Sequence, residues 1–94
     1  MYLAVKKVQP ISNYQLILTF ANGETRLFDL KPYLETGIFQ ELKAMSMFKT
    51  VRVSFDSIVW DNEADMDPEI LYKDSTAINN DIASEPTDEY KLKK

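Results

Sequence analysis

Alternating apolar and polar positions in the first third of the chain predict three β-strands. The first spans residues 2–8, and Pro10 is expected to end it because proline donates no backbone hydrogen bond. The second spans residues 14–20 and the third spans residues 24–29, both with the period of two that is typical of strands. The short connections between them favour antiparallel pairing.

Asn22-Gly23 separates the second and third strands and predicts a two-residue hairpin turn, because both residues tolerate positive φ. A turn of this length would place Leu18 opposite Leu27 on one face. On the other face it would place Ile17 opposite Phe28. Since both faces then carry apolar pairs, we expect both to be at least partly covered.

The middle and the later part of the chain carry helix signals. Residues 31–37 predict one helical turn, with Pro32 at its start and Gly37 as its left-handed exit. Apolar residues recur at helical spacing over residues 38–45, which predicts a second, longer helix. Asp67-Pro68-Glu69 predicts a third helix start, because it supplies a capping carboxylate and a proline at the first helical position.

A second pair of strands is predicted between these helices. Residues 51–55 alternate apolar with polar side chains, and residues 58–60 are expected to return after a tight turn at Asp56-Ser57. In that register Phe55 faces Ile58, so Phe55 is expected on an apolar face of the sheet.

The resulting order of elements is β-β-β-α-α-β-β-α. Hairpin connections predict a small antiparallel sheet of about five strands with short helices packed on it, which is the α+β class. The domain is expected over residues 1–73, followed by a polar tail, residues 74–94, that is flexible or depends on a partner. We hypothesise that the tail docks on its own domain or on a neighbouring copy. Its few apolar anchors are Ile78, Ile82, Tyr90 and Leu92.

The chain contains neither cysteine nor histidine. A disulfide framework, a thiolate or imidazole metal site, and Cys-His or Ser-His-Asp catalysis are therefore excluded within this chain. Acid–base chemistry would fall to carboxylates, lysine or tyrosine, whose ordinary pKa values lie far from 7. We therefore expect a protein that is not an enzyme and that uses no cofactor.

The net charge is −4, and the basic residues are scattered rather than bunched. An acidic protein repels the phosphate backbone, so direct nucleic-acid binding is not expected. The sequence has no run of about 18 apolar residues, so no membrane-spanning helix is expected. The start also lacks the basic-then-apolar order of a secretion signal, which makes the cytoplasm the expected location.

Residues 61–69 hold five acidic and no basic residues. Their alternating spacing is like the first half of a calcium loop. However, Met66 stands where that loop needs glycine and Tyr72 stands where it needs a bidentate glutamate, so no metal site is expected. The favoured interpretation is structural, with Asp61 pairing with Arg52 and Asp67 capping a helix.

An enzyme or metal-binding domain is the main alternative, and it would need several carboxylates to converge in one pocket. The carboxylates concerned are Asp29, Asp61, Asp65 and Asp67. A small-molecule sensor is a second alternative, and it would need an enclosed apolar pocket with convergent polar groups.

Four residues are candidates for a binding site, namely Asp29, Trp60, Asp65 and Tyr72. Asp29 ends a strand, where an aspartate more often closes an Asx turn onto nearby backbone amides. Trp60 and Tyr72 carry large apolar area, and in a small domain such side chains are more often part of the core.

Taken together, the residues resemble a bacterial family, the domain-of-unknown-function family 2442. The resemblance covers about residues 4–73 and departs from the family pattern at Asp61, where proline is common, and at Glu63, where glycine is common. It rests on an ordered set of positions: Phe20, Asn22-Gly23, Asp29, Leu34, Gly37, Phe39, Leu42, Phe48, Val51, Val53, Ile58, Trp60, Asp65, Pro68-Glu69 and Leu71-Tyr72.

The resemblance implies a small α+β domain without established catalytic residues. Some members of the family are joined to a helix-turn-helix DNA-binding domain. Others are encoded beside small proteins of the domain-of-unknown-function family 4160, an arrangement similar to a toxin–antitoxin pair. The function expected from this resemblance is a regulatory or protein-interaction module whose partner is another protein or a second copy of the chain.

Overall fold

The structure is a computed structural model and describes residues 3–78. The strands in that range are β1 (Val5–Ile11), β2 (Gln15–Phe20), β3 (Thr25–Asp29), β4 (Arg52–Ser54), β5 (Ser57–Val59), β6 (Asp65–Met66) and β7 (Thr76–Ala77). The helices are two 3₁₀ segments (Lys31–Tyr33 and Gly37–Lys43), α1 (Met45–Phe48) and α2 (Pro68–Lys73). None of these described helices has the length and apolar character needed to cross a membrane.

The strands form two antiparallel sheets rather than the single sheet expected. The first has the order β1-β2-β3-β7 and the second has the order β4-β5-β6. Backbone contact between the sheets runs from the start of β1 to the second hairpin, where the Val5 amide donates to the Asp56 carbonyl at 2.9 Å. The α+β class is confirmed.

A single apolar cluster connects the two sheets and the helices. Leu16, Leu18 and Phe28 contribute to it from the first sheet. Ile58 contributes from the second sheet, and Leu71 from α2. Because these side chains are at most 1% exposed, both sheets depend on the same burial of apolar area for their stability.

The first strand runs past Pro10, which was expected to end it. Pro10 lies inside β1, opposite Leu16. It is accommodated because β1 is at the edge of the sheet, where a missing backbone donor can face away from the ladder. The chain reverses instead at Asn13 and Tyr14, whose φ angles are 67° and 59°.

The first hairpin has a three-residue loop, and its predicted register is wrong by one residue. The Gly23 amide donates to the Phe20 carbonyl, and the Phe20 amide donates to the Glu24 carbonyl, both at 2.9 Å. Gly23 has φ +90°, as the bulge after a type I turn requires. A one-residue slip exchanges the faces of a strand, so Phe28 lies opposite Leu16 and joins the core.

The first two predicted helices are present but end earlier than the spacing suggested. Residues 31–33 form a single 3₁₀ turn, and Gly37 has the expected positive φ, +49°. The next helix, Gly37–Lys43, is also 3₁₀ and ends at Ala44, whose ψ of 117° is extended. As a result, Met45 begins a separate short α-helix instead of ending the longer one.

The chain continues beyond residue 73 as part of the sheet. Thr76–Ala77 forms β7 against β3, and the Ile78 amide donates to the Thr25 carbonyl at 2.9 Å. The division of the chain at residue 73 stays a prediction. The other tail anchors, Ile82, Tyr90 and Leu92, lie outside the described residues, as does the predicted start of β1 at residue 2.

Candidate functional site

Asp29 and Asp61 are each used locally. The Lys31 amide donates to the Asp29 carboxylate at 3.0 Å, which is the Asx turn favoured from the sequence, and the Lys31 ammonium lies 3.1 Å from the same oxygen. Asp61 accepts from the Arg52 guanidinium at 2.5 Å, so the predicted pair is confirmed. Both pairs are exposed, and such pairs contribute little stability.

Asp67 and Asp65 lie beside one another in the chain but differ in role. Asp67 caps α2, accepting from the Glu69 amide at 2.8 Å, as predicted. Asp65 is exposed on the edge strand β6. Within residues 3–78, no group of three or more acidic side chains is close enough to hold a metal ion.

Trp60 belongs to the core. Its side chain is 0% exposed, and its indole N–H donates to the Phe48 carbonyl at 3.0 Å. Its ring lies 6.2 Å from that of Phe39 in an edge-to-face arrangement. A surface ligand cannot reach a side chain placed in this way, so Trp60 acts through packing.

Tyr72 is part of a polar network that fixes β7 to the first hairpin, and we call this network the clasp. Arg26 donates to the Ser75 hydroxyl and to the Ser75 carbonyl, both at 2.7 Å, and lies 4.2 Å from the Tyr72 ring centroid. Arg26 also pairs with Glu24 at 3.0 Å, while the Tyr72 hydroxyl donates to Glu24 at 2.9 Å. The clasp gives Tyr72 a structural role.

The clasp shifts the pKa values of two of its members in opposite directions. The hydrogen bond from Tyr72, followed by the one from Asn22, lowers the pKa of the Glu24 carboxyl. The same bond to Glu24 raises the pKa of the Tyr72 hydroxyl, and burial adds to this rise. Both shifts favour the protonation states that make the bond, a carboxylate acceptor and a neutral phenol donor.

The second hairpin, β4–β5, turns at Phe55-Asp56 rather than at the predicted Asp56-Ser57. Its register pairs Ser54 with Ser57, so the predicted pairing of Phe55 with Ile58 is wrong. Phe55 and Asp56 have φ angles of 49° and 68°, the two positive values of a type I′ turn. Positive φ is unfavourable for a bulky L-residue, and it is rare for phenylalanine.

The phenyl ring of Phe55 is 98% exposed, in contrast with the apolar face expected for it. A large aromatic ring in water at a strained turn is not explained by the stability of the domain, since the ring buries almost no area. Strained backbone of this kind is concentrated at functional sites, and an isolated exposed aromatic side chain is a common anchor in protein interfaces.

An open groove of about 780 Å³ begins beside Phe55, and we call it the hairpin groove. Residues of the β4–β5 hairpin, of β6 and of the first turn of α2 line it. Its apolar lining comes from Phe55, Ile58, Val59, Met66 and Pro68. The buried Ser57 hydroxyl donates to the Met66 carbonyl and so adds a side-chain link between β5 and β6.

All charged residues among the described lining of the hairpin groove are acidic. Asp65, Asp67 and Glu69 contribute three exposed acids, and no lysine or arginine is among the described lining residues. The groove therefore combines an apolar floor, an exposed aromatic ring and an acidic rim.

The sequence indicated this region only in part. Asp65 was a candidate binding residue, and the structure places it on the rim of the hairpin groove. It does not bring Asp29, Trp60 or Tyr72 there. Phe55 was missed because its alternation with Val53 is also the pattern of a buried strand residue. The available signal was the aspartate after Phe55, which tolerates positive φ and so fits the second position of a turn.

The comparisons with known proteins identify the family. The model of a protein family of unknown function, DUF2442, matches residues 5–77. The chain belongs to this family, as its residue pattern suggested. Neither a curated protein nor a solved structure matches the chain. The family description carries no activity, so the geometry of the molecule is the basis for a functional proposal.

Proposed function

We propose that the protein is a protein-interaction module without catalytic activity, and that the hairpin groove with Phe55 at its end is its binding surface. The observation that carries this proposal is the Phe55 ring, 98% exposed on a turn with positive φ. Its cytoplasmic and bacterial setting stays a prediction from the sequence.

A partner that covers the Phe55 ring would gain the hydrophobic free energy of burying it. The free domain gains almost nothing from the Phe55 ring, whereas burial of a phenylalanine against a partner is worth about 1.5–3 kcal/mol. Aromatic anchors that enter a partner's pocket carry much of the affinity of protein interfaces. The groove beside the ring adds apolar area and a polar rim, which is the usual composition of such a surface.

A second groove, of about 350 Å³, lies between the end of β1 and α1, but it is a weaker candidate. It is lined by Pro10, Ile11, Ser12, Met45 and Lys49. These residues show no positive φ, and their most exposed apolar side chain, Met45, is 37% exposed. The hairpin groove differs by having both strain and an almost fully exposed ring.

The test is quantitative affinity capture of the tagged full chain from its own cell. Wild type is compared with Phe55→Ser and with a matched control, Ile38→Ser, which removes an exposed apolar side chain (44% exposed) from the 3₁₀ helix. We expect a protein that wild type and Ile38→Ser retain and Phe55→Ser loses. Equal retention by all three chains would contradict the proposal, as would no protein above the background of the tag.

Sedimentation of the purified chain covers the case in which the partner is a second copy. If wild type is a dimer and Phe55→Ser is a monomer, the surface is used for self-association. Circular dichroism and thermal melting should show the same fold for the three chains, because Phe55 and Ile38 are both exposed.

A further inference from the structure

We infer that the occupant of the hairpin groove is a basic segment of another polypeptide, with lysine or arginine side chains flanking an apolar residue. This inference rests on the proposed function and specifies the chemistry of the partner. It follows from the arrangement of apolar and charged side chains around the groove.

The apolar part of the groove requires an apolar side chain in the partner. Ile58 and Met66 are buried, 1% and 8% exposed. The apolar surface that a partner can reach is therefore Phe55 together with the half-buried Val59 and Pro68. An aliphatic or aromatic side chain that packs against this surface would remove the Phe55 ring from water without inserting into the core.

The acidic rim requires positive charge next to that side chain. Asp65, Asp67 and Glu69 are exposed, and the described lining of the groove offers them no basic partner. Asp67 caps α2 and Glu69 lies in the first turn of the same helix, whereas Asp65 has no role in that helix. Complementary charge across an interface accelerates association and excludes wrong partners.

The same charge argues against other occupants. Nucleic acid and anionic membranes present phosphate, which three acids repel. A second copy of this chain would bring the same acidic rims together, and its net charge of −4 opposes self-association. A basic polypeptide segment is the class of partner that satisfies both the apolar floor and the acidic rim.

The test uses the isotope-labelled full chain and two capped synthetic peptides, Ala-Lys-Leu-Lys-Leu-Lys-Ala and the same peptide with glutamate in place of lysine. We expect the lysine peptide to cause saturable amide shifts confined to residues 54–59 and 65–69. The glutamate peptide should cause none. Binding should weaken as salt is added, because the rim is exposed to solvent.

Variants of the rim separate charge from shape. Asp65→Asn with Glu69→Gln should weaken binding of the lysine peptide at least about fivefold. The control is Glu35→Gln with Glu41→Gln, which makes the same change of charge before and within the 3₁₀ segment Gly37–Lys43. This control should bind the lysine peptide as wild type does. Asp67 is left intact because it caps α2. Equal loss in both pairs, or equal shifts from both peptides, would overturn the inference.

Two further experiments can reject a basic segment of another polypeptide as the occupant of the groove. Lys91→Glu with Lys93→Glu should leave the groove amides unchanged in the absence of peptide. If it moves them, the occupant is this chain's own basic segment and the inference is wrong. If Phe55→Ser abolishes capture of a cellular partner while the rim pair retains it at every salt concentration, the proposed function stands and the basic partner is rejected.

Discussion

The two hairpins of this domain close with turns of opposite character. The loop of β2–β3 uses Asn22-Gly23, and its glycine takes the positive φ, +90°, at no steric cost. The β4–β5 turn places two non-glycine residues, Phe55 and Asp56, at positive φ. The first turn is what local preference selects, whereas the second contradicts it at its first position.

Under the proposed function, the first turn is maintained for the stability of the domain and the second for recognition of a partner. Around the first turn, the side chain of Glu24 is bonded to Asn22, Arg26 and Tyr72, so the loop is tied to the rest of the domain. At the second turn, the Phe55 ring is in water. Sequences that specify a fold agree with local preference at most positions, and exceptions concentrate at functional sites.

The largest expected effect tests whether one core supports both hairpins. Trp60→Ala should cost roughly 3–5 kcal/mol, because it removes the largest fully buried side chain and leaves the Phe48 carbonyl without its donor. Thermal or denaturant unfolding measures the loss. Val53→Ala, at a position that is 38% exposed, is the control and should cost much less. A Trp60→Ala chain that melts within a few degrees of wild type would mean that the second hairpin is not part of the common core.

A substitution at the first turn should have the next largest effect. Gly23→Val should destabilise the domain by about 2 kcal/mol or more, because a β-branched residue is strained at positive φ. A Cβ atom at this position would meet nothing within 4 Å, so the cost is conformational and not steric. Gly23→Asn should cost clearly less in the same unfolding experiment, since asparagine tolerates this region. Equal losses of stability from the two substitutions would show that the cost does not come from the positive φ of this position.

The next variant gives the second hairpin turn the residues of the first. Replacing Phe55-Asp56 with Asn-Gly should stabilise the domain by about 1 kcal/mol, because it gives the type I′ turn its preferred residues. The same variant should lose the captured partner. Denaturant unfolding and affinity capture, done on one preparation, read out both effects. A variant that is less stable than wild type would show that Phe55 has a structural role, and one that still binds would show that Phe55 is not the anchor.

Local chemistry predicts the fold where a single residue decides the conformation. The Asp67 cap, the Pro68 helix start and the Asp29 turn were all readable from the sequence and are present. Asn22-Gly23 was also read as a turn. The length of its loop could not be predicted, because this dipeptide fits both a two-residue turn and a three-residue loop. The difference of one residue in loop length decides which face of the sheet Phe28 occupies.

Tertiary contacts decided the features that the sequence did not reveal. Asp56-Ser57 is the better local turn, but Ser57 is buried and bonded to the Met66 carbonyl, so the turn moves back to Phe55-Asp56. The two-residue strands β6 and β7 are too short to show a period. For the candidate site the result is similar, since Asp65 was named while Phe55 appeared to be an ordinary strand residue.

The smallest expected effect is a pH dependence confined to the first hairpin and its clasp. The hydrogen bond from Tyr72 lowers the pKa of Glu24 below its ordinary value. A carboxyl with a lowered folded pKa contributes stability above its unfolded pKa, and the contribution is lost as pH falls through the folded value. The melting temperature of wild type should therefore be higher than that of Glu24→Gln at neutral pH, and the difference should vanish as the pH falls below about 4, the ordinary glutamate range.

Tyr72→Phe should raise the pKa of Glu24 toward its ordinary value in a carbon NMR titration of the carboxyl, because it removes the largest cause of the shift. The second hairpin supplies the control: Asp56→Asn at its turn should leave the titration of Glu24 unchanged. A melting difference that stays constant from neutral to acid pH would show that Glu24 contributes through packing and not through its charge.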